Sequence, residues 1–241
     1  MFSIPPCLIS PCPLEPVTHV IFDIDGTVLD TEGIYTEVMD HISIKLSGQR
    51  FDMDVKQRMM GRHRIEALEI FKQSYGIIEE IEIIDNQVNE MLYAKFTNVQ
   101  LMPGVEKLVR HLYNFGIPMA VGTGSDEKSF EMKTQSNRDF FDKYFHHVVL
   151  TSDPEVKFGK PAPDIFLIAC QRFDANNAPK STSNCLVIED AVNGVEAALK
   201  ANMQVLWVPS LPNLDLNQLP AHLVLPSLEH FKPEFFQLPS F

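Results

Sequence analysis

Residues 17–22 form a short apolar run that stops abruptly at Asp23-Ile24-Asp25-Gly26-Thr27. A run of that length reads as a buried strand. Carboxylates and a glycine at its end mark the carboxyl edge of a parallel sheet, where α/β proteins carry their sites. The same pattern returns downstream, with strands predicted at 118–123, 148–151, 185–189 and 204–208 and an edge strand at 223–225. Helices fall between them. Val105, Leu108, Val109 and Leu112 line one that starts after Pro103-Gly104 and stops at Gly116, and a second covers 194–202. Strands alternating with helices imply a parallel sheet covered on both faces.

One stretch breaks the alternation. Residues 32–98 carry three apolar helical faces and no strand pattern: Ile34, Val38 and Ile42; then Ile65, Leu68 and Phe71; then Ile77, Ile81, Ile84, Val88 and Met91. This predicts a small helical domain inserted after the first strand. Residues 1–16 are rich in Pro, hold Cys7 and Cys12, and carry no basic residue. They read as a disordered tail and make a poor signal peptide. With Cys170 and Cys185 they form no disulfide framework or zinc pattern, so reduced thiols in the cytoplasm are expected. No apolar run approaches a membrane span. The net charge is −12, which argues against a nucleic acid polymer or an anionic membrane as partner. It leaves room for a small phosphorylated metabolite, held by a few local cations or one metal ion. A monomer is expected.

Asp23 and Asp25 are two apart, and a strict strand would point them to opposite faces. Gly26 lets the chain turn so that both address one pocket. Two carboxylates there suit a hard divalent cation, or split roles in which one attacks and one moves a proton. A bare Asp-x-Asp pair is more commonly only a polar turn. The full string after an apolar strand is far more specific.

Asp23-Ile-Asp-Gly-Thr-Val-Leu-Asp resembles the first signature of the haloacid dehalogenase superfamily. The resemblance implies three further stations at strand ends, and all are present. Thr123 closes Met119-Ala-Val-Gly-Thr123, followed by Gly124 and Ser125, where a hydroxyl and free backbone N–H groups make an anion cradle; Ser125 as a plain helix cap explains that station equally. Lys160 sits in Gly159-Lys160-Pro161-Ala162-Pro163-Asp164, although most lysines are merely solvated. Glu189-Asp190 ends the 185–189 strand, and an acidic helix start explains that pair as well. Four such stations in one order are specific. The resemblance spans 17–225 and implies an α/β fold: a Rossmann-like parallel sheet core over 17–31 and 99–241, with a small inserted all-α cap domain over 32–98.

The chemistry the resemblance implies is phosphoric monoester hydrolysis. Mg²⁺ would be held by Asp23, the Asp25 backbone carbonyl and Asp190, with Glu189 close by or as an alternate ligand. Asp23 would attack phosphorus and form an aspartyl-phosphate. Asp25 would protonate the leaving oxygen and then activate water. Thr123, Gly124 and Lys160 would hold the phosphate oxygens. Gly61-Arg62-His63-Arg64 lies between two cap helices, so Gly61 and Arg62 are candidate substrate contacts, with solvated charge as the ordinary reading of either arginine.

Finer strings resemble the eukaryotic pseudouridine-5′-phosphatase group: Phe130-Glu-Met-Lys-Thr134, Asp153-Pro-Glu-Val156, Asn193-Gly-Val-Glu-Ala-Ala198 and Pro233-Glu-Phe-Phe-Gln-Leu-Pro-Ser240. They imply hydrolysis of pseudouridine 5′-monophosphate. Phosphatases of sugar or polyol phosphates, a sugar phosphomutase of the β-phosphoglucomutase kind, and a catalytically idle binding relative stay open. The intact acidic and basic set speaks against the last.

Overall fold

The computed structural model describes residues 8–9, 14–59, 64–210 and 220–241. Its sheet runs in the order β1 (Leu8–Ile9), β7 (Leu223–Val224), β6 (Gln204–Trp207), β5 (Cys185–Glu189), β2 (His19–Phe22), β3 (Met119–Gly122), β4 (His147–Val149). Every pairing is parallel except β1 with β7. β2 is wholly buried at the centre, which is why its residues are almost uniformly apolar. Val20 and Phe22 point into one core with Val105, Leu108 and Phe141, while Ile21 points into the other with Ile165, Phe166 and Ala197. That is the two-residue period of a strand sandwiched between helices.

The chain leaves β2 toward β3 and β4, then returns to β5 on the opposite side. β2 is therefore the switch point, and the residues after Phe22, Gly122 and Glu189 converge beyond the sheet's carboxyl edge. The flanking helices are α5 (Val105–Asn114), α6 (Glu127–Thr134), α7 (Arg138–Tyr144), α8 (Asp164–Gln171) and α9 (Val192–Lys200).

Between β2 and α5 lies an all-helical layer: α1 (Glu32–Ser47), α2 (Met53–Met59), α3 (Arg64–Tyr75) and α4 (Ile81–Lys95). Val38, Ile42, Leu68, Phe71, Ile84 and Val88 are buried, as their periodicity requires. Ile65 departs from the expectation at 49% exposure, because the buried face of α3 runs through Leu68, Phe71 and Tyr75. The two chain segments joining this layer to the sheet lie side by side. Leu29 bridges Leu101 in antiparallel fashion, Asp30 N–H donates to the Gln100 carbonyl at 2.9 Å, and Met102 N–H donates to the Val28 carbonyl at 2.9 Å.

The expected loose tail over 1–16 needs revision where it is described. Residues 8–9 add a short antiparallel strand to the sheet. The Leu14, Glu15 and Pro16 carbonyls accept hydrogen bonds from the side-chain amides of Gln237, Gln204 and Asn184, which tie that backbone down. Cys7 and Cys12 lie outside the described residues. Cys170 and Cys185 are free thiols with sulfurs 3.7 Å apart. No helix among the described residues is long and apolar enough to cross a membrane.

Gly104 caps α5 at φ +87°, a region that L side chains rarely adopt. A Cβ there would meet the Glu229 nitrogen and the Leu228 carbonyl carbon at 2.6 Å, both backbone atoms that cannot step aside. Gly104→Ala should therefore destabilise the fold by more than about 1 kcal/mol, read as a lowered urea midpoint. An unchanged midpoint would show that this corner is not tightly packed.

Candidate active site

The site begins where β2 stops. Asp23 N–H still donates to the Ile188 carbonyl at 3.0 Å, so its side chain leaves from the end of the sheet. The Ile24 carbonyl then accepts N–H bonds from Val28 and Leu29, and Gly26 reverses the chain at φ +78°. This tight turn is what brings Asp23 and Asp25 to one cavity. A Cβ on Gly26 would stand 2.4 Å from Asp190 Oδ2, so glycine is required for space as well as for conformation.

Two buried lysines approach the two carboxylates from different sides. Lys160 Nζ lies 2.5 Å from Asp23 Oδ1 and 2.7 Å from Glu189 Oε1. The loop carrying it is braced by Arg172, which pairs with Asp153 at 2.5 Å and also reaches Glu155. Lys133 Nζ, on α6, lies 2.7 Å from Asp25 Oδ2. Ser125 Oγ donates to the same oxygen at 3.0 Å, and Thr31 Oγ1 donates to Asp25 Oδ1 at 2.7 Å.

Thr123 is fully buried, and its Oγ1 accepts the Ser125 N–H at 3.1 Å. Ser125 is not the cap of α6; Asp126 is, accepting from Ser129 N–H at 2.7 Å. Gly124 lines the cavity, and a Cβ placed on it would meet nothing within 4 Å. Glu189 is spoken for on both oxygens, since Oε2 accepts the Asp190 and Ala191 N–H groups at 2.9 Å.

Electrostatics follow from this crowding. Burial pushes the Asp23 carboxyl up to about 7; Lys160 opposes the rise, while Glu189 and Asp25 reinforce it. Asp190 is raised well above the usual carboxylate range, by burial first and then by Glu189, Asp23 and Glu32. Burial would raise Asp25 too, but Lys133 together with the Thr31 and Ser125 hydroxyls outweighs it and holds Asp25 below its ordinary value. Asp23, Glu189 and Asp190 offer oxygens that all lie within 4.8 Å of one another. An excess of buried carboxylates over cations, presenting only hard oxygen donors, fits a divalent metal such as Mg²⁺.

The cavity in front of these groups measures about 320 Å³ and lies between the sheet edge and the helical layer. Met39, Phe51 and Leu68 give it an apolar wall. Lys56 adds a polar corner, pairing with Glu32 at 2.8 Å and Thr36 Oγ1 at 2.7 Å. Arg64 also lines it but is turned to Asp85 at 2.6 Å and Asn89 at 2.8 Å. Gly61 and Arg62 lie outside the described residues.

The structure thus brings Asp23, Asp25, Thr123, Gly124, Lys160, Glu189 and Asp190 together. Sequence reasoning assigned no role to Lys133, Ser125 or Thr31 around Asp25, nor to Glu32 and Lys56. The signal for Lys133 was available. It follows Phe130 by three residues on the inward stripe of α6, where a solvated lysine has no place.

A haloacid dehalogenase-like hydrolase family model matches residues 17–202. The chain is 44% identical to (DL)-glycerol-3-phosphatase 2 of Arabidopsis thaliana over 228 residues, covering 93% of each chain. It is 40% identical to the probable pseudouridine-5′-phosphatase of Drosophila melanogaster, covering 95% of this chain and 97% of that one. Among solved structures, a family IA, variant 3 hydrolase of Entamoeba histolytica superposes with a TM-score of 0.75 at 20% identity, covering 91% of this chain and 97% of that one. At that identity it bears on the fold alone.

Gly194 tests the Glu189 clamp. A Cβ there would fall 1.7 Å from Glu189 Oε1, an atom fixed by Lys160. Gly194→Ala should evict the carboxylate, leave Lys160 and two amides short of a partner, and lower stability by about 2–3 kcal/mol in urea unfolding. A loss below about 0.5 kcal/mol would mean that Glu189 is free to move.

Proposed function

The chain belongs to the haloacid dehalogenase-like hydrolases, and from that premise we propose that it is a Mg²⁺-dependent phosphomonoesterase working through Asp23. One observation carries the reading. Two carboxylates share a cavity floor, and each is held in its own way: Asp23 by Lys160 beside further acids, Asp25 by Lys133 and two hydroxyls. Environments that push two carboxyls apart mark distinct roles.

In this mechanism the Asp23 carboxylate attacks phosphorus, the bond to the leaving oxygen breaks, and an aspartyl-phosphate forms. Asp25 passes a proton to the leaving oxygen. It then takes one from the water that attacks the aspartyl-phosphate, which releases phosphate and restores Asp23. Held as it is by three donors, Asp25 is already a carboxylate ready for the second step. For the first step it must take up a proton beforehand. Lys160, the Thr123 hydroxyl and the backbone N–H groups near Gly124 serve the phosphate oxygens as charge spreads over them. Mg²⁺ held by Asp23, the Asp25 carbonyl and Asp190 would supply the positive charge that lets one anion approach another. Glu189 serves Lys160 and the turn at 190–191.

For the leaving group we favour pseudouridine. The wall of Met39, Phe51 and Leu68 suits the flat face of a base better than a chain of hydroxyls. The polar corner of Glu32, Thr36 and Lys56 favours a second reading, glycerol phosphate, the substrate named for the Arabidopsis relative. The helical layer over 32–98 acts as a cap that closes over whichever ester binds. A small metabolite as partner, a cytoplasmic monomer and exclusion of nucleic acid polymers belong to the same proposal.

Phosphate release should be measured with Mg²⁺ and with EDTA across pseudouridine 5′-monophosphate, uridine 5′-monophosphate, glycerol 3-phosphate and hexose phosphates. We expect release only with metal, and fastest from pseudouridine 5′-monophosphate. Preference for glycerol 3-phosphate would replace the substrate and keep the chemistry. Isomerisation of a hexose 1-phosphate without release would replace hydrolysis by phosphoryl shuttling. Asp23→Asn should abolish turnover with circular dichroism unchanged; near-normal turnover would sink the nucleophile assignment.

A further inference from the structure

Lys133 has no place in the four sequence stations, yet it is among the most completely buried side chains of the fold. Burying an ammonium is costly unless it is paired. Its contacts show what it is paired for. Nζ meets Asp25 Oδ2 at 2.7 Å and Ser125 Oγ at 2.8 Å. It also lies 5.3 Å from the centre of the Tyr35 ring and 5.4 Å from that of the Phe96 ring. Between two aromatic rings a methionine would fill the same space without a charge, so packing alone does not call for lysine.

The geometry around Asp25 is two-sided. Oδ1 is held by Thr31 at the start of α1, and Oδ2 by Ser125 and Lys133 from the sheet side. Tyr35 sits one turn beyond Thr31, its N–H bonded to the Thr31 carbonyl at 3.0 Å. Lys133 thus touches both Asp25 and the helix that roofs the cavity.

We propose that Lys133 is a positioning residue that fixes the Asp25 carboxylate for proton transfer at the ester oxygen and couples it, through Tyr35, to α1. This rests on the reading of Asp25 as the proton carrier. Lys133 touches no reacting atom and acts only through Asp25.

The test compares wild type, Lys133→Met, Asp25→Asn and the double variant on an alkyl phosphate and on p-nitrophenyl phosphate, whose leaving group needs little protonation. Losses are read as kcat/KM, which ends at expulsion of the leaving group and leaves out the water step that both esters share: Lys133→Met should lower it on the alkyl ester about 10- to 100-fold and on the aryl ester far less. In the Asp25→Asn background, Lys133→Met should add nothing, because its only route of action is gone. Equal losses on both esters, or a full further loss in the double variant, would overturn the proposal and leave Lys133 a structural residue. If Asp25→Asn itself slows both esters equally, the proton-carrier reading falls instead, and the two failures are told apart. Should Lys133→Met fail to fold, Tyr35→Leu removes the ring over which the ammonium lies. It should show the same ester selectivity at smaller size, and its absence would count against the proposal.

Discussion

The acidic end of the central strand governs this structure. Buried Asp23, Glu189 and Asp190 meet half-buried Asp25 at the floor of one cavity, and such a cluster would repel itself apart if left alone. Two lysines from remote parts of the chain answer it. Lys160 arrives on the loop after β4, anchored by Arg172, and Lys133 arrives on α6. The switch point at β2 makes this possible, because loops from both halves of the sheet end beside the same strand. The compensation is uneven, and Asp190 stays pushed toward neutrality. That imbalance is what makes this set of oxygen donors fit a divalent cation.

Much of this was legible in the sequence, and for a plain reason. Buried parallel strands must be apolar throughout, so 185–189 read out correctly to the residue and 204–208 to within one. Polar residues that interrupt such strands at their ends stand out against that background. Asp23 stood out in this way, and Thr123, Lys160 and Asp190 came from the stations that the family resemblance implies. The helical insertion was legible from its 3.6-residue period, and only Ile65 fell on the wrong face.

What escaped was set by tertiary contact. The inward stripe of α6 marks Lys133 as unusual, but its partner Asp25 is revealed only when α6 is docked. Ser125 reads as a cap until Asp126 takes that duty and frees its hydroxyl for Asp25. Glu189 reads in the sequence only as a residue close to a metal or an alternate ligand. That its carboxylate also holds Lys160 and the amides of residues 190 and 191 emerges only from the fold. The role of Gly194 in making room for it is likewise invisible until α9 packs against β5. Local pattern reveals which residues are unusual for their element; only packing reveals whom they serve.

The two strands of chain that join the helical layer to the sheet run side by side, stitched by bonds between 28–30 and 100–102. The whole interval between them therefore starts and finishes at nearly the same point. Replacing it with a longer, shorter or differently shaped segment would leave the sheet's own connectivity untouched, since the ends to be bridged hardly change. Such an architecture divides the cavity's lining between two separable inheritances: the acids and the two lysines stay with the sheet, while Met39, Phe51 and Lys56 travel with the interchangeable part.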